Sequence, residues 1–240
     1  MTKDGQKVYQ HGTLALLVPG LFDGTMKLAE LLAHGDTGIG TATGLNGEMI
    51  VLDGTPYLVQ ANGQVKTLSA ETMIPFATVH FDQPQVEFAA QGLSMQALGK
   101  QILAKYPYHN IFFAVKIVGK FKHMQTRAVE GQVKPYPTLV EVANKQAVFE
   151  EADSQGTVVG YFAPELFQGM AAAGYHLHYL NDAKKMGGHI LGFEIDQAQV
   201  YLQPFATIEQ HLPVDNQEFM EHQADLESMG QQIKSAEEAD

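Results

Sequence analysis

The chain has 240 residues, 45% hydrophobic and 18% charged, enough for a sizeable buried core in one large domain or two small ones. A net charge of −12 argues against a nucleic-acid partner, and the absence of cysteine excludes disulfides and thiolate metal sites, so any metal must rest on histidine and carboxylate. The opening MTKDGQKVYQHG is polar and the apolar run Leu14 to Val18 is too short for a signal core or a bilayer span, so a cytoplasmic location without a membrane partner is expected.

Leu28, Leu31 and Leu32 recur at helical spacing and predict a helix over 25–33, with Asp23 or Thr25 as N-cap and Gly35 as its stop. The stretch Gly38-Ile-Gly40-Thr-Ala-Thr-Gly44 lacks the dinucleotide spacing, a Walker lysine and a helix opening at its last glycine. It reads as turns entering a strand. From Glu48 to Leu68 the alternation predicts a meander, with turns at Asp53-Gly54 and Asn62-Gly63. Glu48 shares a face with Ile50 and Leu52. Either that face is inward and the carboxylate needs a cation, a metal or a proton, or Glu48 sits at the strand end and reaches water.

Phe76 to Phe81 is the next strand, and Ser94 caps an amphipathic helix to Lys105 with Met95, Leu98 and Ile102 on one side. Ile111 to Val118 reads as a buried strand, Gly119 as a turn, and Phe121 to Arg127 as a strand pairing back. Phe121, His123, Gln125 and Arg127 then share one face. Arg127 is either a solvated strand-end charge or a clamp whose planar fork suits a carboxylate.

Pro135-Tyr136-Pro137 is the candidate linker, dividing the chain into an N-terminal β-rich domain (1–134, helices at 25–33 and 94–105) and a C-terminal domain (135–240). Leu139 to Ala143 suits a short helix, Val158 to Phe162 and Val200 to Leu202 suit strands, and Leu226 to Ala236 a helix in an acidic tail. Pro75-Phe-Ala-Thr-Val79 recurs as Pro204-Phe-Ala-Thr-Ile208, which is either the echo of a duplication or chance.

The segment GYHLHYLNDAKKMGGHILGFE, 174–194, carries the sharpest chemistry. His176 and His178 stand two apart in a strand-like run and so share a face. A polar turn and Gly187-Gly188 permit a hairpin that brings His189 opposite them. Three imidazoles with no fourth protein ligand make an open zinc site, and the alternative is a set of hydrogen-bonded core histidines.

Together with GIGTATGLNGEMIVLDG (Gly38 to Gly54), PFATVHF (Pro75 to Phe81) and FKHMQTRAVEGQVKPYP (Phe121 to Pro137), this hairpin resembles the α-acetolactate decarboxylases, in motif order over nearly the whole chain. The resemblance implies a β-rich α/β (α+β-like) fold of two mixed-sheet domains, with the metal site on a strand hairpin in the C-terminal half and a homodimer whose sheets join. It implies His176, His178 and His189 as Zn2+ ligands, Glu48 as an active-site carboxylate and Arg127 as the cation beside the metal. It also implies a tail glutamate, Glu237 with Glu238 adjacent, and Thr41 as a substrate contact. The implied reaction converts (S)-2-acetolactate to (R)-acetoin and CO2, with the keto and hydroxyl oxygens chelated and a glutamate protonating the enediolate. The same residues would also suit a zinc hydrolase or hydratase using metal-bound hydroxide, or a metal-dependent binding module without catalysis.

Overall fold

The computed structural model describes residues 4–223 together with 232, 233, 235 and 236. In chain order the first part forms β1 (Lys7–His11), α1 (Leu14–Leu17), β2 (Met26–Lys27), α2 (Leu28–Leu31), β3 (Thr37–Thr41), β4 (Glu48–Leu52), β5 (Thr55–Val59), β6 (Val65–Thr67), β7 (Met73–Ile74), β8 (Phe76–His80) and β9 (Val86–Gln91). Then come α3 (Met95–Lys105), β10 (Phe113–Ala128), α4 (Leu139–Ala143), β11 (Ala147–Ala163), β12 (Gly174–Asn181), β13 (Gly187–Pro204), β14 (Thr207–His211) and α5 (Gln217–Glu221).

The strands build two main sheets, so the architecture is the expected β-rich one. The first is ordered β14-β1-β8-β3-β4-β5-β6 and is mixed, because β1 runs parallel to β14 and antiparallel to β8. The two similar pentapeptides thus begin, or lead into, the strands that flank β1, running in opposite directions. The second sheet, β10-β11-β12-β13-β9, is antiparallel throughout, and a further β10–β13 pairing closes four of its strands into a ring. Strands on both sides of Pro135-Tyr136-Pro137 pair within this second sheet, and β14 returns to the first.

Burial follows the layers. The two sheets share an apolar layer that includes Ile39, Ile50 and Val59 from the first and Ala114, Val159 and Leu180 from the second. The far face of the first sheet packs Met49, Val51 and Val79 with Leu28 and Leu31 of α2. Leu98 and Ile102 of α3 join Phe113, Phe121 and Tyr179 inside the second sheet. Ser94 caps α3, its hydroxyl accepting from the Ala97 amide at 3.2 Å. A fourth cluster, beside the histidine hairpin, joins α1, α4, Ile233 and Ala236.

Two expected elements differ. The helix over 25–33 is a single turn, α2, with Lys27 rather than Asp23 or Thr25 at its N-terminal boundary and no side chain capping it. The amides of Thr25, Leu28 and Ala29 donate to the carbonyls of Ile74, Thr72 and Ala70, and β2 pairs with β7, so the backbone before Leu28 is committed elsewhere. Gly119 is not a turn: β10 runs unbroken for 16 residues, paired with β11 on one side and β13 on the other. A Cβ on Gly119 would collide with the Gln197 carbonyl and the Ala198 backbone, so the glycine permits close strand approach. Register shifts near Phe121 also break the expected common face, leaving Phe121 buried and His123 exposed.

Candidate metal centre

The hairpin of β12 and β13 places the three histidines. His176 and His178 project from one face of β12, and His178 pairs directly with His189 across the hairpin. Ring centroids lie 5.3 Å (His176–His178), 4.9 Å (His176–His189) and 5.5 Å (His178–His189) apart. One nitrogen from each ring lies within 4.8 Å of the others, so the group can hold a metal ion. The hairpin end is pinned from both sides. Asn181 Oδ1 accepts from the Lys185 and Met186 amides at 2.9 and 3.2 Å, and the Thr126 hydroxyl donates to the Gly187 carbonyl at 2.7 Å. Gly188 has φ +128°, and a Cβ there would strike the Arg127 carbonyl.

The fit to a metal is visible in one ring. His178 Nδ1 lies 3.0 Å from the Met49 carbonyl oxygen, which can only accept, so Nδ1 carries the proton and Nε2 a lone pair. That Nε2 is buried, has no hydrogen-bond partner among the described residues and lies 3.4 Å from Glu48 Oε2. Two such groups facing each other at this distance, away from water, call for a proton or a metal cation between them. Desolvation, aided by the Arg127 charge, pushes His176 down to about 3. Desolvation first, then His176, drives His178 well below the usual imidazole value despite its bond to Met49. Both rings are therefore neutral at pH 7, the form that binds metal.

The first sheet supplies the facing wall. Glu48 opens β4 opposite Thr41 of β3 and is buried, so of its two sequence readings the inward one holds. The Thr41 hydroxyl donates to the Gly47 carbonyl at 2.8 Å, just before Glu48, and Gly47 turns with φ +80°. Arg127, near the end of β10, pairs with His189 and is 5% exposed, which rules out the solvated strand-end reading. Its Nη2 donates to the Ala236 carbonyl at 3.0 Å, while its Nε is buried with no hydrogen-bond partner among the described residues.

These residues line one pocket of ≈ 500 Å³, mouth included. One side carries the triad, Glu48, Arg127 and Thr41. The apolar part of the lining comes from Leu14 and Leu17 of α1, Leu139 and Ala143 of α4 and Ala236, together with Leu45, Val129 and Phe76, the last paired with Thr41 in the first sheet. The structure thus brings together Thr41, Glu48, Arg127, His176, His178 and His189. Glu237 lies outside the described residues, as does most of the expected helix 226–236, although Ala236 lines the pocket. The sequence reading missed the apolar side and two backbone contributions, the Met49 and Ala236 carbonyls. A carbonyl leaves no trace in residue type; the apolar run LALL was the one available signal for α1.

Comparison with known proteins points in one direction. The family model described as Alpha-acetolactate decarboxylase matches residues 8–227. An alpha-acetolactate decarboxylase of Lactococcus lactis is 36% identical over 232 residues, covering 96% of this chain and 98% of the relative. The crystal structure of alpha-acetolactate decarboxylase from Bacillus subtilis superposes with a TM-score of 0.93 at 31% identity, covering 98% of this chain and 100% of the other. A Staphylococcus aureus protein of unknown function, described as similar to alpha-acetolactate decarboxylase, superposes with a TM-score of 0.93 at 39% identity, covering 96% and 99%.

Proposed function

This chain belongs to the alpha-acetolactate decarboxylase family, with the carboxy-lyase activity of that family, and on that footing we propose how its pocket performs the reaction. The substrate is (S)-2-acetolactate and the products are (R)-acetoin and CO2. The observation that carries this reading is His178 Nε2, buried without a hydrogen-bond partner among the described residues and facing Glu48 within an imidazole triad beside a buried arginine. Zinc fits the donor set, since three imidazoles with no thiolate in the chain suit it. When bound, it supplies a Lewis acid for the keto and hydroxyl oxygens of the substrate.

The protein's own groups do the rest. Arg127 offers an unpaired Nε donor to the substrate carboxylate. Gripping that carboxylate alone would stabilise the ground state and gain nothing in the chemical step. The guanidinium contributes by holding the carboxylate out of the carbonyl plane, so that the breaking C–C bond overlaps the ketone and its electrons pass into an enediolate. Thr41 has donated its hydrogen to Gly47, which leaves its oxygen to accept from the substrate hydroxyl. Glu48, fixed at the start of β4, or Glu237, which follows the pocket-lining Ala236, returns a proton to one face of the enediolate and sets the product configuration. The apolar side receives the two methyl groups and keeps water from the carbanion.

A buried arginine beside the triad suits an anionic keto acid better than the neutral ester of a hydrolase. We also propose a homodimer, supported by β14 and β6, which leave strand edges at both ends of the first sheet. No helix among the described residues is long and apolar enough to cross a membrane.

Racemic 2-acetolactate given to zinc-loaded protein should release CO2 and yield (R)-acetoin by chiral chromatography. No acetoin at full zinc occupancy would refute the reading. Arg127→Ala should lower turnover at least about tenfold, roughly 1.4 kcal/mol of barrier. Near-normal turnover in that variant would remove Arg127 from the mechanism.

A further inference from the structure

The guanidinium of Arg127 sits in the pocket with little to hold it. Among the described residues its one hydrogen bond runs from Nη2 to the Ala236 carbonyl, 3.0 Å away and 109 residues further along the chain. Its Nε is buried and unpartnered, and neither strand beside β10 contributes an acceptor. A buried cation with one hydrogen bond to the described residues takes much of its orientation from whatever fixes that acceptor.

Ala236 belongs to neither sheet. Ile233 and Ala236 are each 1% exposed, buried in the apolar cluster that contains Leu17 of α1 and Leu139 and Val142 of α4. Ile233 is the large apolar side chain among the described residues of this tail segment, and its insertion ties the segment to the body. Positions 233 and 236 are three apart in helical backbone, so they share a face. Seating one therefore seats the other.

We propose that Ile233 is a positioning residue for Arg127. By filling the cluster between α1 and α4, it sets the Ala236 carbonyl against Nη2, which fixes the guanidinium plane and turns Nε toward the incoming carboxylate. Tail docking and carboxylate recognition are then one coupled event. Ile233 touches no reacting atom and acts through Arg127 alone. The inference rests on the decarboxylase reading for the identity of the carboxylate.

The test uses the full-length zinc-loaded chain and, as probe, 2-hydroxy-2-methylpropanoate, a hydroxy acid without the ketone that decarboxylation needs. Calorimetry should show Ile233→Ser binding the probe about tenfold more weakly, with kcat/KM for 2-acetolactate falling by a similar factor. Zinc stoichiometry should stay at the wild-type value, and Ile233→Val should recover most of the loss. In an Arg127→Gln background, adding Ile233→Ser should change probe binding no further, because both act on one interaction. Should Ile233→Ser fail to fold, Ile233→Ala carries the same comparison with a smaller loss.

Wild-type probe affinity in Ile233→Ser or Ile233→Ala, or losses that add in full to those of Arg127→Gln, would overturn the proposal. The two readings fail separately. Wild-type protein that shows the coupling but makes no acetoin sinks the proposed reaction, whereas acetoin formation indifferent to residue 233 sinks the positioning role.

Discussion

The two sides of the pocket are built on opposite principles. The polar side comes from long, paired strands: the histidines and Arg127 from β10, β12 and β13, Glu48 and Thr41 from β3 and β4. Register alone dictates which residues meet there. The apolar side comes largely from two short helices and a tail segment, drawn from residues 14–17, 139–143 and 233–236, and held by burial in a shared cluster. Strand pairing fixes how the three rings meet, whereas hydrophobic burial sets the shape of the cover. Chemistry that tolerates little misplacement sits on the sheet, and contacts that tolerate more sit on the helices.

The contrast can be broken most forcefully from the polar side. His178→Ala should abolish zinc retention and lower turnover by at least about 10³-fold, whereas His178→Gln, which keeps an amide donor for the Met49 carbonyl, should lose zinc with a smaller cost to the metal-free fold. Metal analysis and an acetoin assay on one sample check this. If the variant holds zinc as the wild type does, the triad is not the ligand set. The complementary cut is Leu139→Ala on the apolar side, which should cost about 2–5 kcal/mol in urea unfolding while zinc stoichiometry stays intact. Loss of zinc in that variant would show that the two sides are not separable.

A third test concerns the packing between the sheets. His80 is fully buried with Nδ1 2.9 Å from the Tyr161 hydroxyl, and desolvation, opposed by Asp36 and aided by Lys116, lowers it to about 3. The unfolded chain takes up a proton near pH 6.5, but the folded one does not until about pH 3. The stabilisation is therefore complete above pH 6.5 and is lost as pH falls from there toward 3, at about 1.4 kcal/mol per pH unit. Unfolding in chelator at pH 7 and pH 5 should show a smaller acid loss for His80→Gln than for the wild type. Equal losses would remove His80 from the acid response. The smallest change is Gly119→Ala, which should cost about 1–3 kcal/mol through its clash with β13 and leave the zinc site alone. No loss would mean that the two strands can part there.

The same contrast explains what the sequence disclosed. The H-x-H pair and the following turn were legible because strand periodicity is two and a hairpin needs only local residues. The side that Glu48 faces was not. Residues 48–51 are all buried, since the first sheet has an apolar layer on each face, and alternation names an inward face only when the other is wet. Gly119 was misread because a glycine that bends the chain and one that lets another backbone approach look the same in a sequence. The helix expected over 25–33 lost its start to carbonyls at 70–74, partners that helical spacing cannot reveal. Two of the three segments of the apolar cover read as helices, at 139–143 and 226–236, but they lie far apart in the chain and nothing local shows that they meet over the pocket.

The proposed reaction requires one metal ion held by the three rings. Metal-free protein should be titrated with zinc while acetoin formation from 2-acetolactate is followed. Activity should rise from near zero and saturate at one zinc per chain. Full turnover in the stripped protein, or saturation unrelated to zinc stoichiometry, would contradict it.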